Sequence, residues 1–196
     1  MKIDAKLIIL LIGLGLCFIF GIHMLFNMIG KNDGNGELNA MVQKTSLDEI
    51  WEIEDEYDFI VEMSAYISEK CEYGSNMSKL NADERVFYIA QILEMEVNNG
   101  GFSQFFYNSS GDLSNELVAS FERIGATKTA DICRTAVGAF GEFVPIDRET
   151  REELMDDNEE FEEVFSDCDG RFYEYEEDLF ALNYRFIINN KTSFME

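Results

Sequence analysis

Residues 7–30 read LIILLIGLGLCFIFGIHMLFNMIG, 24 residues without a formal charge, and the chain changes character once they end. As a helix the stretch is roughly 36 Å long, a little more than a bilayer core of about 30 Å, so it spans with some tilt. Its polar residues, His23 and Asn27, lie toward the C-terminal end, near the interface. A cleaved signal peptide is the competing reading, but its apolar region is usually shorter, about 7–15 residues, and ends at small residues. No A-x-A site follows closely, and Cys17 sits between Leu16 and further apolar sequence, unlike a lipidation site. The reading is an uncleaved anchor over residues 1–30, a single transmembrane helix. Lys2, Lys6 and the terminal amine precede the stretch against Asp4, and Lys31 follows it. That basic bias leans toward an extracytoplasmic domain by about one lysine, which leaves the membrane side open. Gly13, Cys17 and Gly21 recur at four-residue spacing, a small-residue face for helix contact, although such residues are common in membrane helices. A homodimer is compatible with the chain.

Beyond the anchor, residues 31–45 open as KNDGNGELN and read as a flexible linker. Residues 46–196 are expected to form one compact domain with a hydrophobic core. The chain holds 17 Phe, 8 Tyr and 1 Trp, too many aromatics for a disordered acidic tail. Its formal net charge is −24, and since residues 1–30 contribute +1 the remainder carries −25. Such a charge repels phosphates and anionic headgroups, which excludes direct nucleic-acid binding and favours a basic protein surface as partner. Solubility alone is the plain alternative. Three cysteines, Cys71, Cys133 and Cys168, lie outside the anchor, an odd number with no C-x-x-C pair; buried free thiols are favoured over a single bridge.

Apolar spacing predicts helices throughout, and Pro145, the single proline, forces few breaks. Ser46 and Glu49 form a capping box that opens one amphipathic helix over 46–71, its outer face lined with carboxylates. A turn follows at 72–80. Asn81 with Glu84 opens a second helix that ends at Asn98-Asn99-Gly100-Gly101. An aromatic helix is expected over 102–108, a loop at 109–111, and helices over 113–124 (stopped by Gly125), 127–140 and 173–190. Residues 142–178 hold 17 acids against Arg148, Arg151 and Arg171, yet Phe161, Val164 and Phe165 supply an apolar edge, so the segment reads as folded helix. With no strand-length alternation, the fold class is all-α.

Chemistry is scarce. The one histidine is in the anchor, which removes Ser-His-Asp, Cys-His and histidine-zinc sites from the domain. There is no P-loop and no G-x-G-x-x-G. Asp167-Cys168-Asp169-Gly170 hints at a calcium loop, but Arg171 and Phe172 fall where ligand and glycine are required, so a plain acidic turn is the better reading. No catalytic residue, metal or cofactor is expected. With 38 acids outside the anchor, any chosen pair of carboxylates is uninformative as an acid–base couple.

The densest local signal is Glu96-Val97-Asn98-Asn99-Gly100-Gly101-Phe102-Ser103-Gln104-Phe105-Phe106-Tyr107-Asn108. It reads as structural: a helix end, a tight glycine turn and an aromatic helix returning to the core. Asn98, Asn99, Gln104 and Asn108 are expected to satisfy exposed backbone groups at the helix ends. The stretch, followed by Glu122-Arg123-Ile124-Gly125-Ala126, resembles the bacterial DNA-mimic protein family and its C-terminal domain, over about residues 46–190. The resemblance implies an all-helical fold whose acidic surface occupies the DNA-binding face of another protein. It carries over no catalytic positions.

The functional expectation is a membrane-tethered acidic interaction module, with a DNA-binding protein as the basic partner. Candidate contact residues are Glu52, Asp55, Glu56, Glu153, Asp156, Asp157, Glu159, Glu160, Glu162 and Glu163. An envelope structural or immunity-type protein that recognises a neighbour by shape is the alternative, and a carboxylate enzyme the third. A mimic needs its target within reach, so either the anchor holds the domain on the cytoplasmic face or the fold has been redeployed outside.

Overall fold

A long helix, Ala82–Tyr107 (α3), is the axis on which the other elements pack. Phe87, Tyr88, Ile89, Ala90, Ile92 and Leu93 are all buried, so apolar contacts cover most of its circumference and not a single stripe. The computed structural model describes residues 45–156 and 158–195. The anchor expected at 1–30 and the linker up to Lys44 lie outside the described residues. Among the described residues no helix is long and apolar enough to cross a membrane.

Eight α-helices and three 3-10 segments make up the described chain, with no strand among them. They are α1 (Leu47–Trp51), α2 (Glu56–Lys70), α3, α4 (Leu117–Ile124), α5 (Thr127–Gly138), α6 (Arg148–Met155), α7 (Glu159–Phe172) and α8 (Leu179–Asn189). The all-α expectation holds. The capping boxes also hold, with Glu49 reaching back to Ser46 and Glu84 to Asn81.

Several boundaries differ, each for a local reason. The single helix expected over 46–71 is two, because the Asp55 carboxylate accepts from the Tyr57 and Asp58 amides and starts α2 afresh. Residues 109–116, expected as loop then helix, form a 3-10 segment before α4 begins. The last helix starts at Leu179 and not near 173, because Tyr175 turns inward with φ +45° and Asp178 caps the helix through the Ala181 amide. Helix α5 lacks a side-chain cap of its own; Glu177 supplies one from that turn, accepting from the amides of Lys128 and Thr129. A final 3-10 segment, Lys191–Met195, folds back onto the start of α3, where Asn81 donates to the Ser193 carbonyl and Phe194 meets Phe87 edge-on. Cys71, Cys133 and Cys168 are buried free thiols, as expected.

Candidate interaction face

Helix α3 breaks where the sequence motif sits. Gly100 and Gly101 leave helical geometry, and Gly101 has φ +77° and ψ −179°, a conformation essentially restricted to glycine. The chain then resumes as a short aromatic helix up to Tyr107. Glu96, one turn before the break, organises it: its carboxylate accepts from Gln104 Nε2 at 2.6 Å, Asn108 Nδ2 at 3.0 Å and Ser110 Oγ at 2.8 Å. Asn99 donates to Gln104 Oε1, and Asn98 donates to the Tyr175 hydroxyl, which donates in turn to Glu94. The motif amides therefore bond side chains. The expectation that they would satisfy backbone at the helix ends is corrected.

Those backbone ends are satisfied from the acidic segment. The Phe102 amide donates to Asp169 Oδ1 at 2.7 Å, so a carboxylate from α7 caps the N-terminus of the aromatic helix. A Cβ on Gly101 would overlap that carboxylate. At the other end Arg151, fully buried on α6, donates to the Phe106 carbonyl at 2.9 Å and the Asn108 carbonyl at 3.0 Å. It also reaches Asp112 at 2.8 Å, and Gly111 leaves the room its guanidinium occupies. A negative group at the N-terminus and a positive group at the C-terminus both complement the helix dipole. The Asp167–Gly170 stretch is thus not an acidic turn but part of α7, with Asp169 aimed inward.

Between these two polar clamps the contact is aromatic. Phe161, Phe165, Cys168 and Phe172 recur along one face of α7 and are buried. Phe165 stacks on Phe106 at 5.0 Å, Phe161 meets Phe140 at 4.7 Å, and Phe172 meets Phe102 edge-on. Phe102, Phe105 and Phe106 of the motif are all fully buried. Burial of such rings supplies most of the attachment.

The opposite face of α7 carries Glu159, Glu160, Glu162 and Glu163, all exposed. Three of them lie in the first turn, where the Asn158 cap and the helix dipole tolerate negative charge. Glu153 and Asp156 on and after α6 are exposed as well. Among the described residues no ion pair engages any of these six; Arg148 is paired with Glu152, Arg171 with Asp167, and Arg151 is turned inside. Asp157 lies outside the described residues.

Glu52, Asp55 and Glu56 are exposed too, but they sit at the junction of α1 and α2. That corner is built on α8 and its extension: Tyr57 stacks on Phe180, Phe59 meets Tyr184, and Lys191 lies over the Trp51 ring. Helices α6 and α7 pack on α3, α5 and the 3-10 segment before α4; α2 shares α3 with them, and its ring contacts to α8 set its corner apart. The nine described candidates thus divide between two patches, one at the α1–α2 corner and one on α6 and α7, and Asp55 is partly occupied as a cap.

Inside, Glu94 is buried, and loss of hydration pushes its carboxyl up to about 7, opposed by the bond from Tyr175. Burial likewise raises the Asp169 carboxyl, opposed by the Phe102 amide. Glu94, Glu96, Asp169 and Arg151 escaped the sequence reading as a set. The one available clue was an acid at the head of the motif, Glu96, in an otherwise amide-rich stretch.

The build is that of an acidic all-helical domain, with structural charges clamped inside and six exposed carboxylates on and next to α6 and α7 that no ion pair engages among the described residues. The family model for DMP19-like protein matches residues 78–190, more than half of the chain, and the chain belongs to that family. The family resemblance carried by the N-N-G-G-F-x-Q-F-F core is borne out, with a later start than residue 46. The matched stretch runs from just before α3 through α8, so it takes in α6 and α7 and leaves out Glu52, Asp55 and Glu56. Neither a curated protein nor a solved structure matches the chain.

Proposed function

We propose that this chain is an acidic interaction module that occupies the basic surface of a DNA-binding protein in place of DNA, using the outer faces of α6 and α7. One observation carries the reading: exposed carboxylates without cationic partners among the described residues stand on helices that are clamped to the core by Arg151, Asp169 and stacked phenylalanines. A fixed array of like charges attracts a complementary surface at long range and gives it register, which a floppy acidic coil does not. Glu159, Glu160, Glu162 and Glu163 are the principal contacts, with Glu153 and Asp156 beside them. The Glu52–Asp55–Glu56 corner is a secondary contact for a partner large enough to reach it.

The reading includes a tether at residues 7–30. A DNA-binding target places the domain on the cytoplasmic face, against the slight lean of the flanking lysines. A reporter fused to the C-terminus checks this directly; an extracytoplasmic signal removes DNA-binding proteins from the set of partners.

Affinity capture on the full chain tests the function itself. The expected partners are DNA-binding proteins released both by NaCl and by added duplex DNA, and lost when Glu159, Glu160, Glu162 and Glu163 are all changed to Gln. Partners that are neither basic nor salt-released, or that ignore the quadruple change, would sink the proposal.

A further inference from the structure

Two of the most exposed apolar side chains of the described structure lie inside the acidic segment. Phe143 and Ile146 are each 69% exposed, while Val144 between them is 2% exposed. The loop that carries them is pinned. Asn115 accepts from the Val144 amide at 3.2 Å and donates to its carbonyl at 3.0 Å. Arg151 donates to the carbonyls of Pro145 at 2.9 Å and Ile146 at 2.7 Å. So the two side chains are held outward by an ordered backbone, and a partner that covers them has little loop entropy left to remove. A single exposed apolar residue needs no explanation. A pinned pair in a stretch, Glu142 to Asp156, that holds six carboxylates against Arg148, paired with Glu152, and the buried Arg151 does.

We propose that Phe143 and Ile146 are apolar anchors of the interaction face, and that the partner presents an apolar recess flanked by lysines or arginines. This rests on the reading above and adds to it what selects the partner. The surrounding charge decides the occupant. A second copy of this chain would bring two acidic segments together, and an anionic bilayer would be repelled in the same way. A basic surface is attracted by those carboxylates and buries the two side chains at once. A DNA duplex has phosphates but no projecting apolar side chain, so the anchors let a partner distinguish this chain from DNA.

The test places photoreactive benzoyl-phenylalanine, in the full chain in cells, at position 143, at 146, at 160 on α7 and at 188 on α8. The expected result is that 143, 146 and 160 all capture one and the same basic, DNA-binding protein, and 188 does not. With that captured protein purified, Phe143→Ala combined with Ile146→Ala is expected to weaken binding about tenfold or more and leave its salt dependence unchanged. Because both side chains are exposed, the thermal midpoint of the double variant should match the parent. Capture from 160 alone leaves the acidic reading standing and overturns the anchors. Capture of a second copy, or of residues 1–44 of the same chain, from 143 or 146 also overturns them. No basic protein captured at any position overturns the anchors and the acidic reading together.

Discussion

Arg151 and Glu160 belong to one acidic segment and live in opposite surroundings. Arg151 is fully buried, and its guanidinium is surrounded by the carbonyls of Phe106, Asn108, Pro145 and Ile146 and the Asp112 carboxylate. Glu160 is exposed and pairs with no cation among the described residues. The first kind of charge holds the segment on the body; the second kind is what is held. The contrast teaches that net charge alone says little about this surface. Its rigidity comes from the buried phenylalanines and the few charges that point inward, and its electrostatic field from the charges that do not.

The sharpest way to break the contrast is Arg151→Ala. It removes a buried cation from beside the Asp112 carboxylate and takes a donor from the buried Phe106 carbonyl and from those of Asn108, Pro145 and Ile146, and the expected loss of stability is about 3–5 kcal/mol. Urea unfolding of the variant measures it. A loss under about 1 kcal/mol would mean that Arg151 does not fasten α6 to the aromatic helix, and the division between holding and held charges would fail.

Glu94 sharpens the inner half of the comparison, because it is a buried carboxyl held by a tyrosine hydroxyl and not by a cation. Its folded value is raised to about 7, while the unfolded chain ionises near the ordinary glutamate value of about 4.3. Between those values the native state binds the extra proton. Stability from this group is therefore complete below the unfolded value and falls as pH rises toward 7, by on the order of 3 kcal/mol. Glu94→Gln keeps an acceptor for Tyr175 and removes the titration, so its stability should fall less between pH 5 and 8 than the parent's. Parallel curves for the two proteins would show that the carboxyl is hydrated after all.

Gly101→Ala acts on the clamp at the other end. It forces a Cβ against the Asp169 carboxylate and an unfavourable backbone, at an expected cost of about 1–3 kcal/mol. Hydrogen exchange should show faster amides in α7 with α2 little changed. Uniform acceleration over the whole domain would mean that α7 opens only with the body.

How much of this was legible follows from the range of the interactions. The capping boxes at Ser46 and Asn81, the stop at Gly125 and the apolar stripe of α7 are set by residues within a turn or two of each other, and spacing reveals them. The motif's glycine break was legible for the same reason. Its capping was not. Asp169 is 67 residues from Phe102 and Arg151 is 45 from Phe106, and in the sequence each looks like one more charge in an acidic run. The exposure of Glu159, Glu160, Glu162 and Glu163 was legible because Phe161, Val164 and Phe165 mark the inner edge of α7. Glu52, Asp55 and Glu56 were grouped with them by charge alone, and the fold places them at the α1–α2 corner, beside α8 and away from α6 and α7. The turn at Tyr175 escaped because its cause is again distant: the hydroxyl is drawn to Asn98 and Glu94.

The outer half of the comparison makes the smallest prediction, and its value lies in the sign. Changing Glu159, Glu160, Glu162 and Glu163 one at a time to Gln should alter stability by no more than about 0.5 kcal/mol, since none has an ion-pair partner to lose among the described residues. Together, however, four like charges on neighbouring positions of one helix repel more in the folded state than in the extended chain. Raising NaCl from about 10 mM, where the screening length is about 30 Å, to about 1 M, where it is about 3 Å, removes most of that repulsion. The parent should therefore gain stability with salt, and the quadruple variant should gain less. A parent indifferent to salt, or a variant that matches it, would mean that cations already neutralise this face, and the attraction that the proposed function requires would have no source.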